Sequence, residues 1–539
     1  MDEQVVIVGA GPVGTLLACE LLQQGIAVRL IDASREHSAH SRATIIWPRL
    51  LELLRHNDLT DRLADNGHPI DGVTYLSQGR PLGTAWMNRL RDTPYPFAVA
   101  ISQHETERII EDRLGELGGK IERGVRLSDL RNATGPRPVA VLQGPDGTTE
   151  EVETSWLVGA DGAHSSVRKL VGSSFEGAQF DVSFAITDAE IVGDAPQNVV
   201  SYCYAPQGSL ALGPLGSGVC RVAVSVPHPE DDTPPSREFF QAIVDERGPG
   251  RNVLGELRFS ATFRVHARTA SRFRSGHCLL VGDAAHIMSP AAAQGMNTGL
   301  QDAINLAWRL GGVLNGRLPE SVIDGYDTER RDAAHAVAKI TALQTEWGLL
   351  RKAPQIAVRD VALRAASAGG LLQRALGPLV AQTGVRYPSA ARNVLLDAFS
   401  GKRVRPGERL PVLPMPGTAA AGEASEPEVR VAGRTWTAIK ADEFTVLCWP
   451  GRRLRPDWEE VIRRACQLAG PDAVVIEARY AEGPLSDALG NDAILAVVRP
   501  DGYLHATMST SHVEALGATL TAARSGHSPA WKRRGKSRA

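Results

Sequence analysis

Apolar positions along this chain follow two rhythms that predict two kinds of element. Val5 to Val8 is a short unbroken apolar run closed by Gly9, the pattern of a strand buried on both faces. Val13, Leu17 and Leu21 then recur at helical spacing until Gly25 stops the helix, and Ala27 to Ile31 predicts a second strand ending at Asp32. Further apolar runs lead into Asp161-Gly162 and Gly282-Asp283, each placed where a strand enters a turn. Val199 to Tyr204, Leu210 to Leu215 and Val219 to Val226 read as three successive strands separated by Pro-Gln-Gly and Gly-Ser-Gly turns. After Pro319 the pattern becomes helical to about Leu396, with one long helix predicted over Tyr326 to Leu350. Pro406, Pro411, Pro414 and Pro416 and the small-residue run Thr418 to Gly422 mark a linker. Beyond it, Phe444 to Trp449, Ala473 to Glu477 and Ala493 to Val498 are strand-like, and Trp458 to Leu468 and His512 to Ala522 are helix-like. Ser511 with Glu514 predicts a capping box for the second of these helices, and Val498 to Tyr503 a hairpin turn. The tail with Lys532, Arg533, Arg534, Lys536 and Arg538 reads as a solvated end.

The glycines of Gly9-Ala10-Gly11-Pro12-Val13-Gly14 sit between the first strand and its helix, and Asp32 follows at the distance expected of an acid that accepts ribose hydroxyls. Such glycines serve a tight turn, close approach of backbone to a pyrophosphate and close helix–strand contact, and the phosphates rest on the helix N-terminus. Alone, this fingerprint is as consistent with a tight βα turn of no function. Joined to Trp156-Leu157-Val158-Gly159-Ala160-Asp161-Gly162-Ala163-His164-Ser165-Ser166-Val167-Arg168 and Cys278-Leu279-Leu280-Val281-Gly282-Asp283-Ala284-Ala285-His286, in that order, it points to a flavin dinucleotide.

These segments resemble the DG and GD motifs of the single-component FAD-dependent aromatic hydroxylases of the para-hydroxybenzoate and phenol hydroxylase type. The layout is similar to that of tailoring hydroxylases of aromatic polyketide pathways. The resemblance implies an α/β fold: a Rossmann-like FAD-binding domain interleaved with a β-sheet substrate domain, a helical segment, and a C-terminal thioredoxin-like domain. It implies a FAD-binding domain over 1–72, 98–180 and 270–320, a substrate sheet over 73–97 and 181–269, a helical segment over 321–400, and a linker over 401–429. A thioredoxin-like domain without a redox dithiol would then span 430–525, and a basic tail 526–539. The implied FAD contacts, all non-covalent, are Gly9, Gly11, Pro12, Val13, Gly14, Asp32, Arg42, Gln103, Asp161, Arg168, Gly282, Asp283, Gln294, Gly295, Met296 and Asn297. The resemblance also implies NAD(P)H as co-substrate, NADPH ahead of NADH, reducing FAD without a domain of its own. A flavin 4a-hydroperoxide would then pass one oxygen atom of O2 to an electron-rich aromatic ring. Gly213-Pro214-Leu215-Gly216-Ser217-Gly218 lies between two strand-like runs and reads as a turn, not as a second dinucleotide site. One departure stands out: where relatives carry Pro-x-Gly-Gly before the flavin-facing helix, this chain reads Pro290-Ala291-Ala292-Ala293.

No side chain declares itself as an acid or base. His286 reads first as a structural hydrogen-bonder and second as a proton carrier; Tyr202, Tyr204 and Arg221 sit on the predicted substrate strands, where packing or an ion pair is the blander role. At 539 residues the chain has room for several domains, and its net charge of −2 argues against nucleic acid as the partner. No run of 18 apolar residues appears and the fingerprint starts almost at Met1, so no membrane span and a cytoplasmic protein are expected, with a small aromatic substrate and a homodimer as the partners considered. The 6 cysteines lack a C-x-x-C spacing and are expected to be free thiols, with no metal. Baeyer–Villiger or epoxidising flavin monooxygenases and a flavin-binding protein without oxygenase turnover are the alternatives; the Trp-x-Trp-x-Ile-Pro of flavin halogenases is absent.

Overall fold

The computed structural model describes residues 4–36, 43–227, 233–387, 405–411, 443–470, 473–478 and 483–526. The predicted start of the chain is borne out. Val5–Val8 is a fully buried strand, and helix Pro12–Gln23 follows with Leu16, Leu17 and Leu21 facing the core. Strand Val28–Asp32 then returns parallel to the first. These strands centre a six-stranded sheet whose order is Arg274–Ser275, Cys278–Leu280, Trp156–Gly159, Val5–Val8, Val28–Asp32, Ile121–Arg123. All its pairings are parallel except the Arg274–Ser275 hairpin edge. This sheet carries all three turns of interest at the carboxyl ends of its strands, where open α/β sheets bind ligands.

Helix Gly295–Leu314 packs against helix Pro12–Gln23 and against the turn at Gly282. The approach is close: a Cβ on Gly299 would lie 3.1 Å from the Gly282 Cα. An eight-stranded sheet stands beside the first, ordered His286–Ile287, Asn252–Ala270, Phe175–Gly193, Val219–Val226, Gly208–Gly216, Val199–Ala205, Gly72–Ser77, Arg80–Trp86. It contains the three predicted strands, and its two 19-residue strands pair antiparallel with one another from Phe175 opposite Ala270 to Gly193 opposite Asn252. The Gly216-Ser217-Gly218 connection is a tight turn with all three residues at positive φ.

Helix Asp324–Gly348 fills the place of the predicted long helix. Toward the C-terminus a four-stranded sheet, ordered Ala473–Glu477, Phe444–Trp449, Ile494–Val498, Leu504–Ser509, packs on helix Gly295–Leu314, with Phe444 edge-on to Trp308 at 5.7 Å. The capping box at Ser511 does not form. Ser509 caps instead, its Oγ accepting the Ser511 N–H at 3.4 Å, because the chain enters a 3-10 turn over Thr510–Ala515 and the α-helix starts only at Leu516. Glu514 pairs with Arg464 rather than with the helix end. Five cysteines are buried and Cys466 is exposed, none in a disulfide among the described residues. No described helix is long and apolar enough to cross a membrane. Most of the 401–429 linker and the tail after 526 lie outside the described residues.

Candidate active site

The first turn packs closely on its neighbours and leaves open space at one glycine. Gly9 has φ +105°, and a Cβ there would meet the Ala160 carbonyl oxygen at 2.4 Å; a Cβ on Gly14 would meet the Gly9 oxygen at 2.0 Å. At Gly11 the added carbon would meet nothing within 4 Å, so the space it would fill belongs to the cavity and not to the protein. Gly11 caps the helix without a side-chain acceptor for its first amides, and Pro12 opens the first turn, leaving N–H groups and the positive end of the helix dipole toward that space. Asp32 accepts the Ala10 and Ser34 N–H groups, each at 2.7 Å, and so ties this turn to the second strand. Gln103 lines the cavity; its Oε1 accepts the Ala43 N–H at 3.2 Å. Arg42 lies outside the described residues.

The two later turns are joined to one another. Asp161 accepts the Ser166 N–H at 2.6 Å and the Val167 N–H at 3.1 Å, capping the short helix Ser166–Leu170. Arg168 on that helix is buried and donates to the Ala284 oxygen at 2.9 Å and the Ala163 oxygen at 2.8 Å, stapling the Asp161 turn to the Asp283 turn. Its guanidinium lies 3.8 Å from the centre of the Phe175 ring, and burial lowers its pKa from the ordinary arginine value. Gly282 donates its N–H to Asp302 at 3.0 Å, while Asp283 is exposed on the cavity wall.

Between the Asp283 turn and helix Gly295–Leu314, Ala292 (φ 66°) and Ala293 (φ 51°) both occupy the left-handed region that favours glycine. Their carbonyls are held in place. The Trp47 indole donates to both, at 3.1 and 3.2 Å; Gln294 Nε2 donates to the Ala292 oxygen and Asn297 Nδ2 to the Ala293 oxygen, each at 3.1 Å. The Asn297 Oδ1 in turn accepts the Trp47 N–H at 2.8 Å, so Asn297 is fully engaged as a brace for the loop.

These turns and the eight-stranded sheet enclose one cavity of about 1100 Å³. Its lining combines Gly11, Pro12, Val13, Asp283, Gly295 and Met296 from the turns and helix starts with Tyr202, Tyr204, Arg221, Phe263 and His266 from the sheet. Tyr202 and Tyr204 share a face of their strand, stacked on Tyr75 at 5.8 and 6.3 Å. Burial pushes the Tyr202 phenol up to about 12, against the opposing pull of the Ala292 backbone and the Gln344 side chain that face its hydroxyl. Tyr204 is raised further by burial, with the Arg359 guanidinium 4.8 Å from its ring. Both phenols therefore remain neutral donors near pH 7. Arg221 is committed to a buried ion pair with Asp188, Nη2 to Oδ2 at 2.9 Å. His286 does not reach the cavity wall: it is buried, with Nε2 on Asp302 Oδ2 at 2.7 Å. Among the cavity residues that sequence reasoning passed over are Met288, Gln344 and Thr345, which no motif marks.

A cleft of this volume exceeds what one drug-sized ligand needs and suits a dinucleotide ring system with a second ring placed against it. The FAD binding domain family matches residues 2–341. The chain belongs to the FAD-dependent aromatic hydroxylases. It is 31% identical over 94% of its length to a 12-dehydrotetracycline 5-monooxygenase/anhydrotetracycline 6-monooxygenase of Streptomyces rimosus, covering 95% of that protein. A 6-methylpretetramide 4-monooxygenase of Streptomyces rimosus is 38% identical over 65% of this chain, which spans 63% of that relative. The solved structure of the OxyS anhydrotetracycline hydroxylase from Streptomyces rimosus superposes with a TM-score of 0.74 at 28% identity, over 98% of this chain and 100% of that one. As in any FAD-dependent hydroxylase, the ring must reach the substrate while the phosphates stay anchored. Here the open space over Gly11 fits the anchor, and the Gly295 helix end fits the electron-rich edge of a ring.

Proposed function

We propose that the protein is a FAD-dependent, NAD(P)H-consuming monooxygenase that hydroxylates a polycyclic phenolic or polyketide-like substrate. When bound and reduced, the flavin supplies the oxygen chemistry. The observation that carries the reading is the single cavity joining the phosphate cradle at Gly11 to the aromatic-lined face of the eight-stranded sheet. Residues of the chain bind, orient and shield. Gly11, Pro12 and Val13 take the pyrophosphate, Gln103 and Arg168 brace the neighbouring backbone, and Asp283 with Gly295 and Met296 faces the ring end. Tyr202 and Tyr204 offer hydroxyl donors to oxygen atoms of the substrate, and Phe263 and Val265 offer apolar surface to its rings. Exclusion of water by these residues protects a reactive oxygen species from wasteful decay. NADPH is the favoured reductant, because Lys169, Arg264 and Arg268 crowd the same cavity with positive charge suited to its phosphates. The C-terminal four-stranded sheet serves as a thioredoxin-like support without a dithiol, since Cys448 is buried on strand Phe444–Trp449 while Cys466 is exposed on helix Trp458–Ala469. A homodimer acting in the cytoplasm completes the proposal. The test is product mass spectrometry with a panel of polycyclic phenols and quinones, NADPH and isotopically labelled O2. Ring hydroxylation carrying label supports the reading; NADPH consumption unaffected by every phenol, with no labelled product, defeats it.

A further inference from the structure

A buried polar chain runs from the Asp283 turn to the C-terminal sheet. Asp302 stands at its head, with Oδ2 accepting the Gly282 N–H at 3.0 Å and His286 Nε2 at 2.7 Å, and Oδ1 accepting Arg330 Nε at 2.7 Å. Arg330 passes the contact on, donating from Nη1 to the Tyr387 hydroxyl at 3.1 Å and from Nη2 to the Thr298 oxygen at 3.0 Å. Asn305 Nδ2 donates to the same hydroxyl at 3.3 Å and to Asp501 Oδ2 at 2.9 Å. Asp501 belongs to the hairpin between the last two strands, and Arg499 of the same hairpin grips both Asp501 and Glu329. Arg309 closes the group, bonding Asn305 Oδ1 at 3.2 Å and Glu329 Oε2 at 2.6 Å.

The charges balance. Asp302, Glu329 and Asp501 face Arg309, Arg330 and Arg499, all buried or nearly so. Burial alone would raise the two acids of the helical region, yet their cationic partners prevail and both are lowered, Glu329 to about 2. A balanced buried network of this kind is rigid and intolerant of a lost partner. It is also asymmetric in purpose: at one end it holds the C-terminal sheet, and at the other it holds the amide of Gly282 and thereby the turn bearing Asp283.

We infer that Asp302, Arg330, Tyr387 and Asp501 are positioning residues for the flavin site, so that docking of the C-terminal sheet sets the Asp283 turn. The inference rests on the FAD reading above. None of the four lines the cavity, so they act through Gly282 and not by contact with a ligand.

Two tyrosines give a matched test. Tyr387 and Tyr503 stack at 4.0 Å; the Tyr387 hydroxyl is a link in the chain, whereas the Tyr503 hydroxyl donates to the Val385 oxygen at 3.4 Å and, among the described residues, does not join it. Tyr387→Phe and Tyr503→Phe each delete one buried hydroxyl and keep the ring stack. In the full-length protein, FAD affinity is measured by flavin fluorescence titration, the visible circular dichroism of bound FAD is recorded, and melting is followed without FAD. Tyr387→Phe is expected to weaken FAD about fivefold and to alter the visible dichroism, while Tyr503→Phe changes affinity less than twofold. Asp501→Asn serves as the second probe at the far end and is expected to weaken FAD at least as much as Tyr387→Phe. Equal FAD affinities in all three variants and wild type, whatever happens to the melting temperature, overturn the inference. So does a loss of affinity in Tyr503→Phe that matches Tyr387→Phe. A wild type that binds no FAD instead removes the functional reading on which the inference stands.

Discussion

Replacing Ala292 and Ala293 together by glycine perturbs the loop that faces the flavin end of the cavity. Each alanine holds a left-handed backbone, φ 66° and 51°, a conformation that costs an L-residue about 1–2 kcal/mol. Glycine removes that strain and adds about 0.4–1 kcal/mol of unfolded-state entropy. At Ala292, which is 1% exposed, the lost methyl costs roughly a further 0.8 kcal/mol, so the change there nearly cancels. Ala293 lines the cavity, and its replacement leaves a net change between about 0 and 1.6 kcal/mol in favour of glycine. The four carbonyl hydrogen bonds from Trp47, Gln294 and Asn297 survive, so the double variant should melt no lower than wild type. Its loop, however, loses two methyl restraints, the Ala293 methyl on the cavity wall itself. Flavin reduction by NADPH should become faster, and more hydrogen peroxide should escape per NADPH, because a looser wall admits water. The assay is stopped-flow reduction together with oxygen uptake with and without catalase. Unchanged reduction and coupling would show the alanine pair to be neutral packing, and a clear fall in melting temperature would show that the strain argument is wrong.

Three further outcomes follow from the geometry. Gly11→Val should fold normally, since a Cβ there meets nothing within 4 Å, yet fail to bind FAD; Gly14→Ala, which collides with the Gly9 oxygen at 2.0 Å, should lose stability even without FAD. Apo-protein melting paired with flavin titration separates the two, and equal loss of fold in both would contradict the cradle. Glu329 is held down at about 2 from its ordinary 4.5, so it favours the folded state at any pH above 4.5 and its contribution drains away as pH falls toward 2. Denaturation midpoints followed across that window should fall with proton uptake on unfolding; a flat profile would refute the network's charge state. Finally, a reductant without its own domain must meet a mobile ring, so NADPH should reduce the flavin slowly alone and faster with substrate. Rapid mixing that finds equal rates would count against it.

Much of this architecture was legible because glycine and aspartate punctuate it. The turn at Gly9 to Gly14 and the strands at Val199, Leu210 and Val219 stand where apolar rhythm and turn residues place them. What eluded the sequence needed a third dimension. The commitment of Arg221 to Asp188 depends on strand register, which sets these residues opposite each other. Asp161, expected to serve the cofactor, spends its carboxylate on the next helix, a role hinted at only by Ser165 and Ser166 that follow it. The link from Asp302 to Asp501 joins residues 199 positions apart through Tyr387, and no local pattern announces it. The capping box at Ser511 failed for a smaller reason: a 3-10 turn moved the cap by two residues.

The central claim is that one cavity brings a flavin to an aromatic ring. The most direct test is to purify the protein, release and identify its chromophore, and then analyse turnover with NADPH, a polycyclic phenol and labelled O2. The account predicts unmodified FAD and a hydroxylated product bearing one labelled oxygen atom. A protein that takes up no FAD, or a product whose new oxygen comes from water, would contradict it.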